Sequence, residues 1–367
     1  VSGLFNLLLR YLILMPSYLL INLTATILAI LARNKRLGFC FFLSLGVLCI
    51  FYAIRYDLGN DYWSYYETFL QSKWGYDPEG IEFGWWAINY FLQPLGYFGL
   101  IIVTTIFNYS SIYYFISKYV NRNYWGLSVF IFCFTFNFQL LSCSMMRQFM
   151  AMVIMLYAIK PILDKNLIKF LLILALAFLI HKTSIIFVPM FLFGLKMPQI
   201  NRPFWIILFV GIFVGLLSIA IVYIDIFQYA SILFEDEKFS RYIDNGDEGS
   251  FSFTIIFDIL WMILLMKYFP NNGLGKIICI ISLCAYIVMP FSFVVVMLVR
   301  LMLFYSIFFI FSIPNMFEHF GSKYLGWFLI TIYSLLMLRR TYTSINGDTY
   351  GDYYESFRTI FSAPNWL

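Results

Sequence analysis

At 367 residues, 62% hydrophobic and only 12% charged, the chain has too few polar side chains to cover a soluble domain, and apolar runs of spanning length recur from end to end. A net charge of +5 with no basic stripe argues against a nucleic-acid partner. The six cysteines (Cys40, Cys49, Cys133, Cys143, Cys279, Cys284) lie in or beside apolar runs without zinc-like or redox spacing, which makes them packing residues rather than a metal or disulfide framework.

The composition is that of an all-α integral membrane protein, a single polytopic domain over 1–367 with room for about a dozen helices of roughly 20 residues. In chain order the apolar runs predict spans over 11–33, 37–54, 95–117, 125–142, 146–163, 167–181, 183–196, 203–224, 251–268, 275–296, 300–319 and 324–338. Val1 opens the sequence without a charged, cleavable signal pattern, so the first span is expected to be retained. The segment 84–94 is too short to cross alone and reads as an interfacial or re-entrant helix ending near Pro94. The sixth and seventh spans are short and meet at His181-Lys182-Thr183, so 167–196 is either two crossings or a re-entrant pair; parity survives both readings. Asn22-Leu23-Thr24 and Asn108-Tyr109-Ser110 match the glycosylation pattern but fall inside predicted spans and are discounted.

Orientation follows from the short loops. Arg33, Lys35, Arg36, Lys118, Arg122, Lys160, Lys165, Lys169, Lys196, Arg202, Lys267, Lys276 and Lys323 fall on one side, which the positive-inside rule makes cytoplasmic, with both termini outside. The outward segments are the loops 55–83 and 225–250 and the tail 339–367, and they hold sixteen of the nineteen carboxylates. Most arginines fall outside and most lysines inside, as if lysine sets the topology and arginine is held for chemistry.

What remains is a set of polar residues at the outer helix ends. The second span closes with Arg55-Tyr56-Asp57-Leu58-Gly59-Asn60-Asp61-Tyr62-Trp63-Ser64-Tyr65, where Gly59 allows a turn and Asp61 is expected to cap the next helix. Glu82-Phe83-Gly84 returns the chain to the membrane, Arg147-Gln148 stands between the fourth and fifth spans, His181 ends the sixth, Arg241 lies in the second large loop, and Arg300 opens the eleventh.

In this order the sequence resembles the EpsG-type members of the Wzy polysaccharide polymerases. The resemblance rests on Arg55…Asp57-Leu58-Gly59-Asn60-Asp61-Tyr62…Tyr65, the Glu82-Phe83-Gly84 return, Arg147-Gln148 with Ala151, and His181-Lys182-Thr183-Ser184 with Pro189; Arg300 with Pro314 adds a weaker match. It runs from about 55 to 314, and order and placement carry it, since each motif alone is short. The family usually has a small or apolar residue where Asn60 stands. The resemblance implies an enzyme of polysaccharide biosynthesis, of the O-antigen polymerase and lipopolysaccharide type, at the outer, periplasmic face of the bacterial inner membrane. It would transfer a glycan from one undecaprenyl diphosphate to a hydroxyl on another lipid-linked repeat unit. Implied partners are undecaprenyl-diphosphate-linked oligosaccharides and membrane lipids, with a chain-length regulator and a flippase as further candidates.

The chemistry fits the residues. A departing lipid diphosphate leaves negative charge that a metal or a cluster of cations must stabilise. No Asp-x-Asp pair is seen, whereas Arg55, Arg147, Arg241 and Arg300, with Gln148, are candidates for a diphosphate clamp, because guanidinium stays charged and binds phosphate through paired hydrogen bonds. Metal-independent transfer without a cofactor is the expectation. The acceptor hydroxyl needs a base, for which Asp61 and Glu82 come first, then His181 and Asp57. Tyr62, Trp63, Tyr65 and Trp74 are candidates to stack on sugar rings.

Each assignment has a plainer competitor. Arginines at helix ends snorkel to headgroups, His181 at a helix C-terminus answers the dipole, Asp61 caps, and interfacial aromatics form a belt. Two other classes compete with the polymerase. A twelve-span secondary transporter draws on Asp258 in the ninth span and on Asn137 and Gln139 in the fourth, but the sequence shows no internal symmetry of that class and its polar groups crowd one face. An O-antigen ligase or a polyprenyl-phosphate-sugar glycosyltransferase would use the same lipid-linked donor, and Asp57 and Asp61 keep the second of these open.

Overall fold

The computed structural model describes residues 17–76, 81–135, 137–195, 211–212, 254–269, 272–292, 297–321, 323–346 and 357–363. The expected eighth span, apart from 211–212, and the second outer loop, with Arg241, lie outside the described residues.

The described chain is helical apart from two two-residue strands, as expected of a sequence whose apolar runs must satisfy their own backbone groups in lipid. Three stretches, Lys35–Ala53, Gln93–Tyr119 and Met146–Leu163, are long and apolar enough to cross a membrane. Counting each of two bent pairs as one span makes five. The other apolar helical stretches have 10–17 residues, so the described helices do not present twelve full-length spans. One expected run is interrupted by a residue that stops the helix. The run predicted over 125–142 breaks where Asn137 adopts the left-handed conformation (φ 49°), which asparagine tolerates better than most residues. The pair Leu298–Ser306 and Phe309–Glu318 is bent by 42°.

The chain divides into two compact units. The first takes in Val1–Val153, Leu179–His181 and Ser322–Leu367. Its helices are α1 (Ser17–Leu31), α2 (Phe39–Ala53), α3 (Tyr62–Ser72), α4 (Phe83–Phe91), α5 (Gly96–Tyr119), α6 (Trp125–Phe134), α7 (Phe138–Ser144), most of α8 (Met146–Leu156), the end of a later helix at Leu179–His181, and α16 (Lys323–Asn346), numbered in chain order over the described helices. Helix α1 packs on α2 and α6, α2 on α5, α3 on α4, and α16 on α6. The core is mainly apolar, with Leu48, Leu100, Ile112, Ile131 and Phe132 fully buried. Arg122 has a structural use here. Its Nε donates to Ala32 O (2.6 Å) and its Nη2 to Asn34 O (3.1 Å), so a cation answers the orphan carbonyls at the end of α1.

The second unit takes in Ile154–Phe178 and Lys182–Gly321. Within it, α13 (Gly273–Ser292) packs on α14 (Met297–Ser306) and α15 (Phe309–Glu318), with α9 (Ile159–Leu163), α11 (Met190–Leu195) and α12 (Thr254–Tyr268) around them. Helix α10 (Leu167–Ile180) runs from this unit into the first.

The strands were not anticipated. β1 (Arg55–Tyr56) pairs antiparallel with β2 (Arg358–Thr359), bringing the tail back to the loop that follows α2. Ile360 N donates to Ile54 O (2.9 Å), and Phe357 stacks on Phe51 with centroids 3.9 Å apart.

Candidate active site

Glu82 occupies the N-cap position of α4 but makes no side-chain cap bond. Its carboxylate instead spans a guanidinium and an imidazole from distant parts of the chain. Oε2 accepts from Arg147 Nη1 at 2.7 Å, and Oε1 lies 3.1 Å from His181 Nδ1. Arg147 sits in the first turn of α8, where the positive end of the helix dipole disfavours it, so a carboxylate partner offsets that cost. His181 directly follows α10.

Close backbone approach positions the group. A Cβ added at Gly84 would lie 2.7 Å from Leu179 O and 2.8 Å from Leu179 C, so α4 begins pressed against the last turn of α10. Any larger residue there would push Glu82 away from His181. Gly59 does the same for the preceding loop. It holds φ +103°, and a Cβ there would meet Ser144 Oγ at 2.9 Å and Ser144 N at 3.0 Å, just before α8 begins.

The electrostatics follow from these contacts. Partial burial alone would raise the Glu82 pKa, but the His181 hydrogen bond and the Arg147 charge outweigh it and bring it down to about 2. An ionised carboxylate only accepts hydrogen bonds, so His181 Nδ1 must carry the proton that faces it. In the neutral ring the free lone pair is then on Nε2, which is buried and has no hydrogen-bond partner. Tyr65 completes the cluster. Its ring lies 5.8 Å from the Arg147 guanidinium carbon, and burial pushes its phenol above the ordinary range, with Asp61 adding to the shift and Arg147 opposing it.

The other nominated residues are placed as follows. Asp57 adopts φ 53°, accepts from Trp63 Nε1 at 2.8 Å and lies 3.4 Å from Arg358 Nη1, so its carboxylate ties the loop to the tail. Asp61 stands at the N-cap of α3 without the expected side-chain cap bond. Arg55 is 1% exposed, and its Nη1 donates to Tyr52 O (2.6 Å) and Thr105 Oγ1 (3.0 Å). Both partners are uncharged, and Nε has none. Gln148 is buried beside Arg147 in α8, and Arg300 lies on α14 of the second unit. Of the four aromatics nominated for sugar stacking, Tyr62 and Tyr65 are buried. Tyr62 is closed in by Tyr56, Trp63 and Tyr97, which leaves no free face for a sugar. Trp63 and Trp74 are exposed, the latter at 86%.

The structure thus brings Glu82, Arg147, His181 and Tyr65 together and keeps Asp57 in a separate contact with Trp63 and Arg358. Sequence reasoning missed Arg358, because a lone arginine in a tail carries no sign of its partner. It also missed Thr105, a helix threonine with nothing to distinguish it. Among the described residues no group of three or more His, Cys, Asp or Glu side chains is arranged to hold a metal ion. The cluster offers instead a fixed carboxylate, an oriented imidazole and a partly exposed guanidinium.

Searches among curated proteins and among solved structures return no match. One family model does match, and it spans residues 38–356, which takes in Arg55, Glu82, Arg147, His181 and Arg300: the chain belongs to the EpsG family.

Proposed function

We propose that this membrane protein polymerises lipid-linked oligosaccharide repeat units, transferring a glycan from an undecaprenyl diphosphate to a hydroxyl of another lipid-linked unit at the periplasmic face of the inner membrane. The family supports the general role in polysaccharide polymerisation. The observation that carries the chemistry is the bridge from Arg147 through Glu82 to His181.

The three roles divide by environment. Glu82, held at a pKa of about 2 and occupied on both oxygens, is a poor base and serves as the group that orients His181. His181 Nε2 takes the proton of the acceptor hydroxyl as that oxygen attacks the anomeric carbon. The bond from that carbon to the diphosphate oxygen breaks, and the electron pair leaves with the lipid diphosphate. Arg147 stabilises the departing charge, a role in which guanidinium replaces a divalent metal. Arg300 and Arg241 remain candidates for the same task. Trp63, exposed and held by Asp57, is the aromatic best suited to stack on a sugar. The base assignment therefore moves from Asp61 or Glu82 to His181.

Deletion of the gene followed by gel analysis of surface glycan tests the reading. Single-repeat product without a ladder is expected, and it should be rescued by the wild-type gene but not by His181→Ala. An unchanged ladder sinks the proposal, and complete loss of surface glycan moves the protein to an earlier sugar transfer.

A further inference from the structure

Asp57, on the loop that follows α2, is held from two sides, and one of its partners comes from the far end of the chain. Its Oδ1 accepts from Trp63 Nε1 at 2.8 Å, and its Oδ2 lies 3.4 Å from Arg358 Nη1. The backbone at Asp57 is left-handed, with φ 53°, a conformation that persists where the surroundings fix it. The tail is docked there by contacts that do not involve the Arg358 side chain. Tyr56 stands opposite Arg358 in the β1–β2 register, Ile360 N donates to Ile54 O, and Phe357 stacks on Phe51.

The Arg358–Asp57 pair adds little to folding. The two side chains are 56% and 31% exposed, and ion pairs so open to solvent are weak stabilisers. What the pair fixes is direction, because drawing Oδ2 toward the guanidinium leaves Oδ1 to face the indole N–H. Trp63 is half-buried and meets Tyr56, Tyr62 and Tyr66 with the rings nearly at right angles. Such an indole can still turn about its side-chain bonds, and the hydrogen bond to Asp57 selects one orientation.

We infer that Arg358 is a positioning residue for sugar binding: through Asp57 it sets the orientation of the Trp63 indole, so the tail helps to aim the face on which a sugar ring stacks. This rests on the polymerase reading for the role of Trp63. A sugar presents a patch of C–H groups to an aromatic face, and its affinity depends on how that face is turned. Arg358 pairs with Asp57 and not with the Arg147–Glu82–His181 bridge, so its loss falls on binding rather than on the chemical step.

The test uses the purified full chain in detergent, labelled with fluorotryptophan and read by fluorine NMR, the Trp63 resonance being identified by its loss in Trp63→Phe. Arg358→Gln should shift that resonance and leave the others in place, and Arg358→Lys, which keeps the charge, should bring it back toward wild type. Elongation is then measured on the lipid-linked repeat unit extracted from the deletion strain. Arg358→Gln should raise KM by about three- to tenfold with kcat within about twofold of wild type. The same substitution added to Trp63→Phe, whose ring has no N–H to orient, should raise it no further. An unmoved Trp63 resonance in Arg358→Gln overturns the proposal, as does additivity of the two substitutions or a loss confined to kcat. Failure of the polymerase reading is visible separately, as an intact glycan ladder in the deletion strain, whereas the effect of Arg358 on the indole is read without turnover.

Discussion

Glu82 lies between a guanidinium and an imidazole, and its stability contribution has a definite pH window. Its pKa falls from an ordinary 4.5 to about 2 on folding, so the stabilisation is fully present above about pH 4.5 and is lost as pH falls toward 2. At 1.36 kcal/mol per unit the shift corresponds to about 3 kcal/mol. Glu82→Gln should therefore lower the melting temperature of the detergent-solubilised protein by a fixed amount at neutral pH. The gap from wild type should narrow only below about pH 4.5. A gap that stays constant into strong acid would mean that packing, not charge, is what the substitution removes. Glu82, Arg147 and His181 stand out in the sequence because charged groups at helix ends are rare in so apolar a chain. Their mutual contact is not legible, since it joins residues 65 and 99 positions apart. The burial of Arg55 is equally invisible, because snorkelling and insertion between helices leave the same pattern.

At the scale of elements, glycines decide how near the helices come. The contact of α4 with the last turn of α10 has no room for a methyl group at Gly84, and the obstructing atoms are backbone and cannot rotate away. Gly84→Ala should cost about 1–3 kcal/mol, the usual range for overpacking, and should separate Glu82 from His181. Activity is expected to fall further in Gly84→Ala than in Gly46→Ala, where the same added methyl meets nothing. Equal activity in the two would show that the fit of α4 against α10 does not position the site. The glycines at 59 and 84 were legible as turn and return residues, and among the described residues the apolar runs announced helices. The interruptions were not, because Asn137 takes a left-handed conformation that local propensity permits but does not demand. Strand β2 had no signal either, as a two-residue pairing carries no periodicity.

For the molecule as a whole, topology is the property the sequence addresses most directly and the helices alone least. Lysine-bearing loops on one side predict that a cysteine placed beside Lys118 is shielded from an impermeant reagent added outside, while one beside Trp74 reacts. Ready labelling at Lys118 would invert the orientation and remove the periplasmic site. Arg122, next to that loop, cautions against counting every basic residue as a topology signal, because it is committed to the carbonyls at the end of α1.

The pairing of Arg55–Tyr56 with Arg358–Thr359 has a practical side. A fusion or trimmed variant that replaces the chain from about residue 350 onward removes the segment that fastens the loop bearing Asp57, together with the ring stacked on Phe51. Phenotypes of such variants would register an unfastened loop as much as the missing residues. Epitope tags are better kept away from residues 357–360, which make the docking contacts.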